Sequence, residues 1–326
     1  MQGFDDKWSD FPDYILGITK EIWEDRGIGP RLTDYYGSDV IVRMPGGVFI
    51  GEFAARQSTL AGLAEFPDRQ LLGEDVIWSG SPEQGMLSSH RILSKATHAG
   101  DGLFGAATGA PLVYRGIADC FAINNQITDE WLIRDNSAIL KQMGKDPRTW
   151  AEERVAASLA GAPLTPDTDV SGPYSGHGNT NEWGQRLADI LTRIMNADLS
   201  VIQSSYDRAA QLEYPGGITG HGWFDADRFW LPFRSAFPDA DFQIHHVIGR
   251  EDAMFPPRAA VRWSLWGRHS NVGAFGTPTG AQVYVMGITH AEFGPHGLRR
   301  EWTLYDETAI WTQIALHQAQ DTGAGA

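Results

Sequence analysis

Apolar residues along the chain follow two rhythms, and the same order of rhythms occurs twice. Tyr14, Ile15, Ile18 and Ile22 recur at three- and four-residue intervals and predict a helix with one buried face, as do Leu187, Ile190, Leu191 and Ile194. Further helices are predicted from around Phe53 and around Phe224. After Phe66-Pro67-Asp68, and again after Phe237-Pro238-Asp239, the period shortens to that of strands. Residues 241–249, 259–268, 282–293 and 298–304 alternate or run apolar between Gly and Pro clusters that suit tight turns. Helices first and an antiparallel sheet after is an α+β layout.

The recurrence is a duplication. At a shift of 171 positions, Val76-Ile77 returns as Val247-Ile248, Arg91 as Arg262 and His98 as His269. Gly102, Phe104, Gly105, Thr108 and Gly109 return as Gly273, Phe275, Gly276, Thr279 and Gly280, and Glu130-Trp131 and Asp135 as Glu301-Trp302 and Asp306. One register kept across glycines, aromatics and charges makes two copies of one module. The expected division is residues 1–145, a helix with a linker over 146–181, and residues 182–326. Ala162–Asn181, rich in Pro, Gly, Ser, Thr and Asp, reads as the linker.

Composition narrows the partners. A net charge of −15 repels phosphate backbones and anionic lipid, so neither nucleic acid nor membrane is an expected partner. No run of eighteen apolar residues exists, and Met1–Trp8 carries no secretion pattern, so the expected location is the cytoplasm. The single Cys120 allows neither an intramolecular disulfide nor a cysteine metal cluster. Metal-binding and phosphate-cradling motifs are missing, and the reading calls for no cofactor or metal.

Thr97-His98-Ala99-Gly100, Leu103-Phe104-Gly105, Thr108-Gly109 and Glu130-Trp131 through Asp135 resemble the signature of SnoaL-like polyketide cyclases and ester cyclases in the nuclear transport factor 2-like superfamily; Arg268-His269 through Glu301-Trp302 resembles it again. The resemblance implies tandem α+β (cystatin-like) cones, each a curved antiparallel sheet wrapped by helices around an apolar pocket for a small apolar or aromatic organic molecule. It also implies an internal pseudo-dimer, since single-domain relatives commonly pair through their sheets. The pocket aspartate of the cyclases has no counterpart directly after either Trp, where Leu132 and Thr303 stand.

Candidate chemistry follows from strands and from differences between copies. A strand points Glu130 and Trp131, or Glu301 and Trp302, to opposite faces, so one of each pair faces the cone interior. His245-His246 replaces Glu74-Asp75, and His290 replaces Asp119. These groups suit acid–base work at a pocket, and serve equally as contacts between the halves. His290, His246, Asp119, Glu301 and Glu130 are therefore the expected proton-transfer residues. Arg91, Arg262, Tyr214, Trp230, His98 and His269 are the expected substrate contacts, although a shared His before a hairpin also serves as a structural hydrogen bond. Asp135 and Asp306 read as helix N-caps. Two functions remain open: a cofactor-independent cyclase, isomerase, aldol-type lyase or dehydratase acting on a carbonyl compound, or a binding or scaffold module without catalysis.

Overall fold

The computed structural model describes residues 1–323 and contains two six-stranded sheets of identical topology. The first is built from β1 (Tyr36–Met44), β2 (Gly47–Ile50), β3 (Gln70–Ser81), β4 (Gly85–Thr97), β5 (Pro111–Ile123) and β6 (Gln126–Arg134), in the order β2-β1-β6-β5-β4-β3. Helices α1 (Phe11–Thr19), α2 (Pro30–Tyr35) and α3 (Glu52–Glu65) precede or interrupt it, and α4 (Asn136–Gln142) and α5 (Pro147–Ala156) follow. The second sheet repeats the plan: α6 (Glu182–Met195), α7 (Ser200–Ser205), β7 (Tyr206–Tyr214), β8 (Ile218–His221), α8 (Gly222–Ala236), β9 (Asp241–Arg250), β10 (Arg258–Arg268), β11 (Gln282–Gly294), β12 (Gly297–Tyr305) and α9 (Glu307–Gly323). Among the described residues no helix is long and apolar enough to cross a membrane.

The sheets are not wholly antiparallel as expected. β1 runs parallel to β6, and β7 parallel to β12. A parallel neighbour needs a long crossover, which α3 and four strands supply in the first sheet and α8 and four strands in the second.

Alternation along each strand divides the buried residues into separate cores. On the inner face of the first sheet Val76, Met86, Ala118, Cys120 and Ala122 pack on Tyr14, Ile15, Ile18 and Ile22 of the first helical segment. The inner face of the second packs Val261, Trp263, Val285 and Ala291 on Leu187, Ile190, Ile194, Trp230 and Phe233. The outer faces meet each other. Ile77, Leu87, Ile117 and Trp131 from the first sheet join Ile248, Ala260, Met286, Ile288 and Leu304 from the second in one buried cluster.

The segment 162–181 holds no helix or strand, yet it seals this contact instead of hanging free. Leu164 is buried in the shared cluster, and the Tyr174 ring lies 4.5 Å from Phe121 and 5.6 Å from His246, centroid to centroid. Arg43 donates to Asp169, to the Val170 carbonyl and to Asp129, and Gly178 bridges to Val247. Asp135 caps α4 by accepting from Ala138 N, and also accepts from the Gly216 and Gly217 amides of the other half.

Gly287 is closely packed in the second core, because a Cβ there would stand 2.2 Å from the Trp263 ring. Gly287→Ala is expected to cost about 1–3 kcal/mol by overpacking, read as a lowered urea midpoint at unchanged slope.

Candidate functional site

The two inner faces differ in what fills them. In the first cone a cavity of about 90 Å³ is lined by Ile15, Ile18, Trp23, Tyr36, His90, Ile92, Ser94, Cys120, Glu130 and Arg134, among others. One water occupies about 10–15 Å³ on this measure, so there is room for roughly half a dozen, or for one small ring. Glu130 is the carboxyl inside. Its Oε2 accepts from the Tyr36 hydroxyl at 3.0 Å, and no described residue donates to Oε1. Burial raises its pKa above the usual carboxylate value, opposed by the Tyr36 bond and by the charge of Arg134.

His90 stands on β4 with its Nδ1 3.2 Å from Ser88 Oγ, and its Nε2 meets no described partner. Desolvation pulls its pKa down to about 4, so near neutrality it offers the cavity an uncharged imidazole. Cys120 is buried beside it, and burial first, then Glu130 and Asp119, raise its pKa well above the ordinary thiol value. It therefore lines the cavity as a protonated thiol.

In the second cone the equivalent space holds side chains. At the shift of 171, Ser58, Thr59 and Gly62 become Phe229, Trp230 and Phe233, while Ile92, Ser94 and Arg134 become Trp263, Leu265 and Tyr305. Tyr214 and Phe229 stack at 3.7 Å, Phe233 and Tyr305 at 5.0 Å, and Trp230 and Trp263 are fully buried. Glu301, the equivalent of Glu130, is saturated: Oε2 accepts from Tyr206 at 2.8 Å and Tyr214 at 3.1 Å, and Oε1 from Thr303 at 2.7 Å. Copy one has Met44 before its Pro where copy two has Tyr214, and Leu132 where it has Thr303. Those two exchanges leave one oxygen of Glu130 undonated.

Residues 187–302 match the family model described as a SnoaL-like domain. The second cone is a SnoaL-like domain. Solved structures similar to the chain include IdmH from Streptomyces antibioticus, with 20% identity, a TM-score of 0.36, and coverage of 41% of this chain and 97% of IdmH. AclR from Streptomyces galilaeus is 16% identical, with a TM-score of 0.36 and coverage of 41% of this chain and 95% of its own. A SnoaL-like polyketide cyclase from Agrobacterium tumefaciens is 18% identical, with a TM-score of 0.32 and coverage of 41% and 99%. No curated relative matches the chain.

Most of the residues expected at a pocket stand elsewhere, between the SnoaL-like domain and its sister. On β4 His90, Ile92 and Ser94 face the cavity, which turns Ser89 and Arg91 outward; β5 and β11 likewise send Asp119 and His290 out. The result is a pseudo-twofold pair. Arg262 donates to Asp119 at 2.9 Å with its guanidinium 3.7 Å from the Trp131 ring centroid. Arg91 bonds His290 Nδ1 at 3.1 Å and Glu74 at 2.8 Å, with its guanidinium 3.6 Å from the Trp302 centroid. An arginine can only donate, so Nδ1 of His290 carries the lone pair and Nε2–H is given to Ser89 Oγ, 2.8 Å away.

His245 and His246 were expected on opposite faces, and both lie at this contact. A β-bulge breaks the alternation at that point, as it does at Glu74 and Asp75 in the first sheet. His245 Nε2 is 2.7 Å from Ser264 Oγ and His246 Nε2 is 2.6 Å from Tyr174 Oη. His98 and His269 are fully buried behind their hairpins, with Nδ1 3.0 Å from Thr108 Oγ1 and 3.1 Å from Thr279 Oγ1. They tie strand ends together and face no cavity described above. Tyr214 and Trp230 belong to the closed aromatic core and not to a substrate wall.

Of the eleven expected residues, Glu130 is the one placed in the open cavity. His90, Tyr36, Arg69 and Arg134 were missed. The signal lay in the comparison of copies: bulky apolar residues in copy two stand opposite small or charged ones in copy one.

The interface histidine sets a pH dependence. Burial first, then Arg91, hold the His290 pKa well below its ordinary 6.5. The unfolded chain therefore binds a proton below about pH 6.5 that the folded chain refuses, and stability is lost as pH falls. His290→Gln, able to accept from Arg91 and donate to Ser89, is expected to reduce the slope of unfolding free energy against pH by up to about 1.4 kcal/mol per unit between pH 6 and 5. Denaturant titrations at stepped pH measure it.

Proposed function

We propose that the first cone is the working pocket, that it takes a small organic carbonyl compound, and that Glu130 moves a proton on it. The carrying observation is the single undonated carboxylate oxygen in a mainly apolar cavity. A carboxyl raised by burial exchanges protons closer to neutrality than a solvated one, and a base works best there. The Tyr36 bond fixes its orientation and, with Arg134, keeps the ionised form accessible.

The step is a proton transfer. Oε1 of ionised Glu130 takes a proton from the carbon next to the carbonyl; the C–H electron pair becomes the enolate π bond, and the charge moves to the carbonyl oxygen. Return of the proton to another position completes an isomerisation, while attack of the enolate on a second carbonyl closes a ring. His90, neutral above about pH 4, supplies a hydrogen-bonding nitrogen without adding charge. The SnoaL-like second cone, its carboxyl saturated, supports the first through the shared sheet contact.

The test does not require the substrate. Small cyclic ketones and 1,3-diketones are incubated with the protein in deuterated water and exchange at the α-carbon is followed by NMR. Exchange is expected to rise with pH through a midpoint above the ordinary Glu value, as the base form appears. Glu130→Gln is expected to lower it by 10²–10⁴-fold, the usual range for a general base. Glu301→Gln is expected to leave exchange intact and to lower thermal stability. Exchange unchanged by Glu130→Gln removes the catalytic reading and leaves a binding pocket.

A further inference from the structure

Two arginines at the first cone have no acid within ion-pair distance, although Arg134 shares the cavity with Glu130 and feels its charge. Arg69, just before β3, and Arg134, at the end of β6, line the inner cavity and also an outer groove of about 530 Å³ that continues past Tyr114. Neither guanidinium makes a hydrogen bond or ion pair with any described residue. The fully buried arginines are matched: Arg43 with Asp129, Arg91 with Glu74, Arg258 with Asp75 and Arg262 with Asp119. In a chain of 41 acids and 26 Lys and Arg, two half-buried guanidiniums left unmatched side by side are not a shortage of partners.

They also repel each other. Burial lowers the Arg134 pKa, and Arg69 lowers it further. The acids around the outer groove are already engaged: Glu65 accepts from the Leu103 and Phe104 amides, and Asp306 from Asn136 and Thr308. The filled cone has Ala240 and Tyr305 at the matching positions. Gly62 lies beside Arg69, a Cβ there standing 3.6 Å from Nη1 in ordinary contact, and the second copy carries the bulk of Phe233 at that position.

We propose that Arg69 and Arg134 form an anion seat at the junction of cavity and groove, and that the molecule this pocket takes is a small organic acid. Its apolar body occupies the cone near Glu130 and its carboxylate lies against the two guanidiniums, whose planar forks suit a carboxylate. This rests on the first cone being the working pocket. A chain with net charge −15 repels anions at large, so local positive charge is what admits one.

Calorimetric titration separates the claims with matched pairs: benzoate against benzamide, and cyclohexanecarboxylate against its amide. The acids are expected to bind at least tenfold tighter than the amides. Arg69→Met and Arg134→Met, each checked for folding by circular dichroism, are expected to abolish that preference while leaving amide binding in place. Arg69 lies outside the sheet, so its variant tests the claim should Arg134→Met not fold. Ile92→Trp, which imports the indole that plugs the second cone above a glycine the first also has, is expected to abolish binding of both series. Equal binding of acids and amides, or an acid preference that survives both arginine variants, overturns the anion seat and leaves the pocket standing. Failure of both series to bind, or binding untouched by Ile92→Trp, overturns both readings.

Discussion

The structure depends on a charged contact that excludes water. Two sheets meet through their outer faces, and at the centre each contributes an arginine laid flat on the other's tryptophan, Arg91 on Trp302 and Arg262 on Trp131. Taking a guanidinium out of water costs several kcal/mol, and an aromatic face alone does not offset that. The offset comes from hydrogen-bonded partners: Asp119 across the contact for Arg262, and His290 across it together with Glu74 of the same sheet for Arg91. Because each arginine meets a partner on the opposite sheet, the halves have one register, and the alternation of each strand then decides what faces into its cone. The site in the first cone is positioned from behind by this contact.

Duplication lets the two cones divide the work. The second keeps the family pattern closely enough for residues 187–302 to match the SnoaL-like domain, yet its interior is plugged by its own rings. The first keeps an open interior. Its carboxyl has one hydroxyl donor where the second has three, and its helix α3 carries Ser58, Thr59 and Gly62 where α8 carries Phe229, Trp230 and Phe233.

The architecture was readable in the chain because it is written twice, and the second copy's strands appear within a residue or so of their alternating segments. Glu130 was readable because a Glu beside a Trp on a strand must face the other way. The charge differences between copies fall at the contact, the second of the two places they suit: Asp119 and His290 give each arginine an acceptor on the opposite sheet, and His246 stands against Tyr174. Strand facing depends on register, and register is shifted by the bulges at Glu74 and His245, which leave no mark in hydropathy. His90 and Arg134 went unread since each resembles an ordinary polar strand residue until set beside Val261 and Tyr305.

The two glycines opposite the plug carry a consequence for how such a protein changes. Gly287 is pressed by the Trp263 indole, and Gly116 stands at the same place in the first sheet, paired with Ile92 and with no ring within 4 Å of where a Cβ would lie. The backbone of the open cone is thus already shaped to receive a stopper, and the backbone of the stoppered one needs no remodelling to be emptied. Open and shut are states of side-chain volume on one unchanged scaffold, so ancestry can pass a chamber from one half to the other by a few substitutions without disturbing the seam between them.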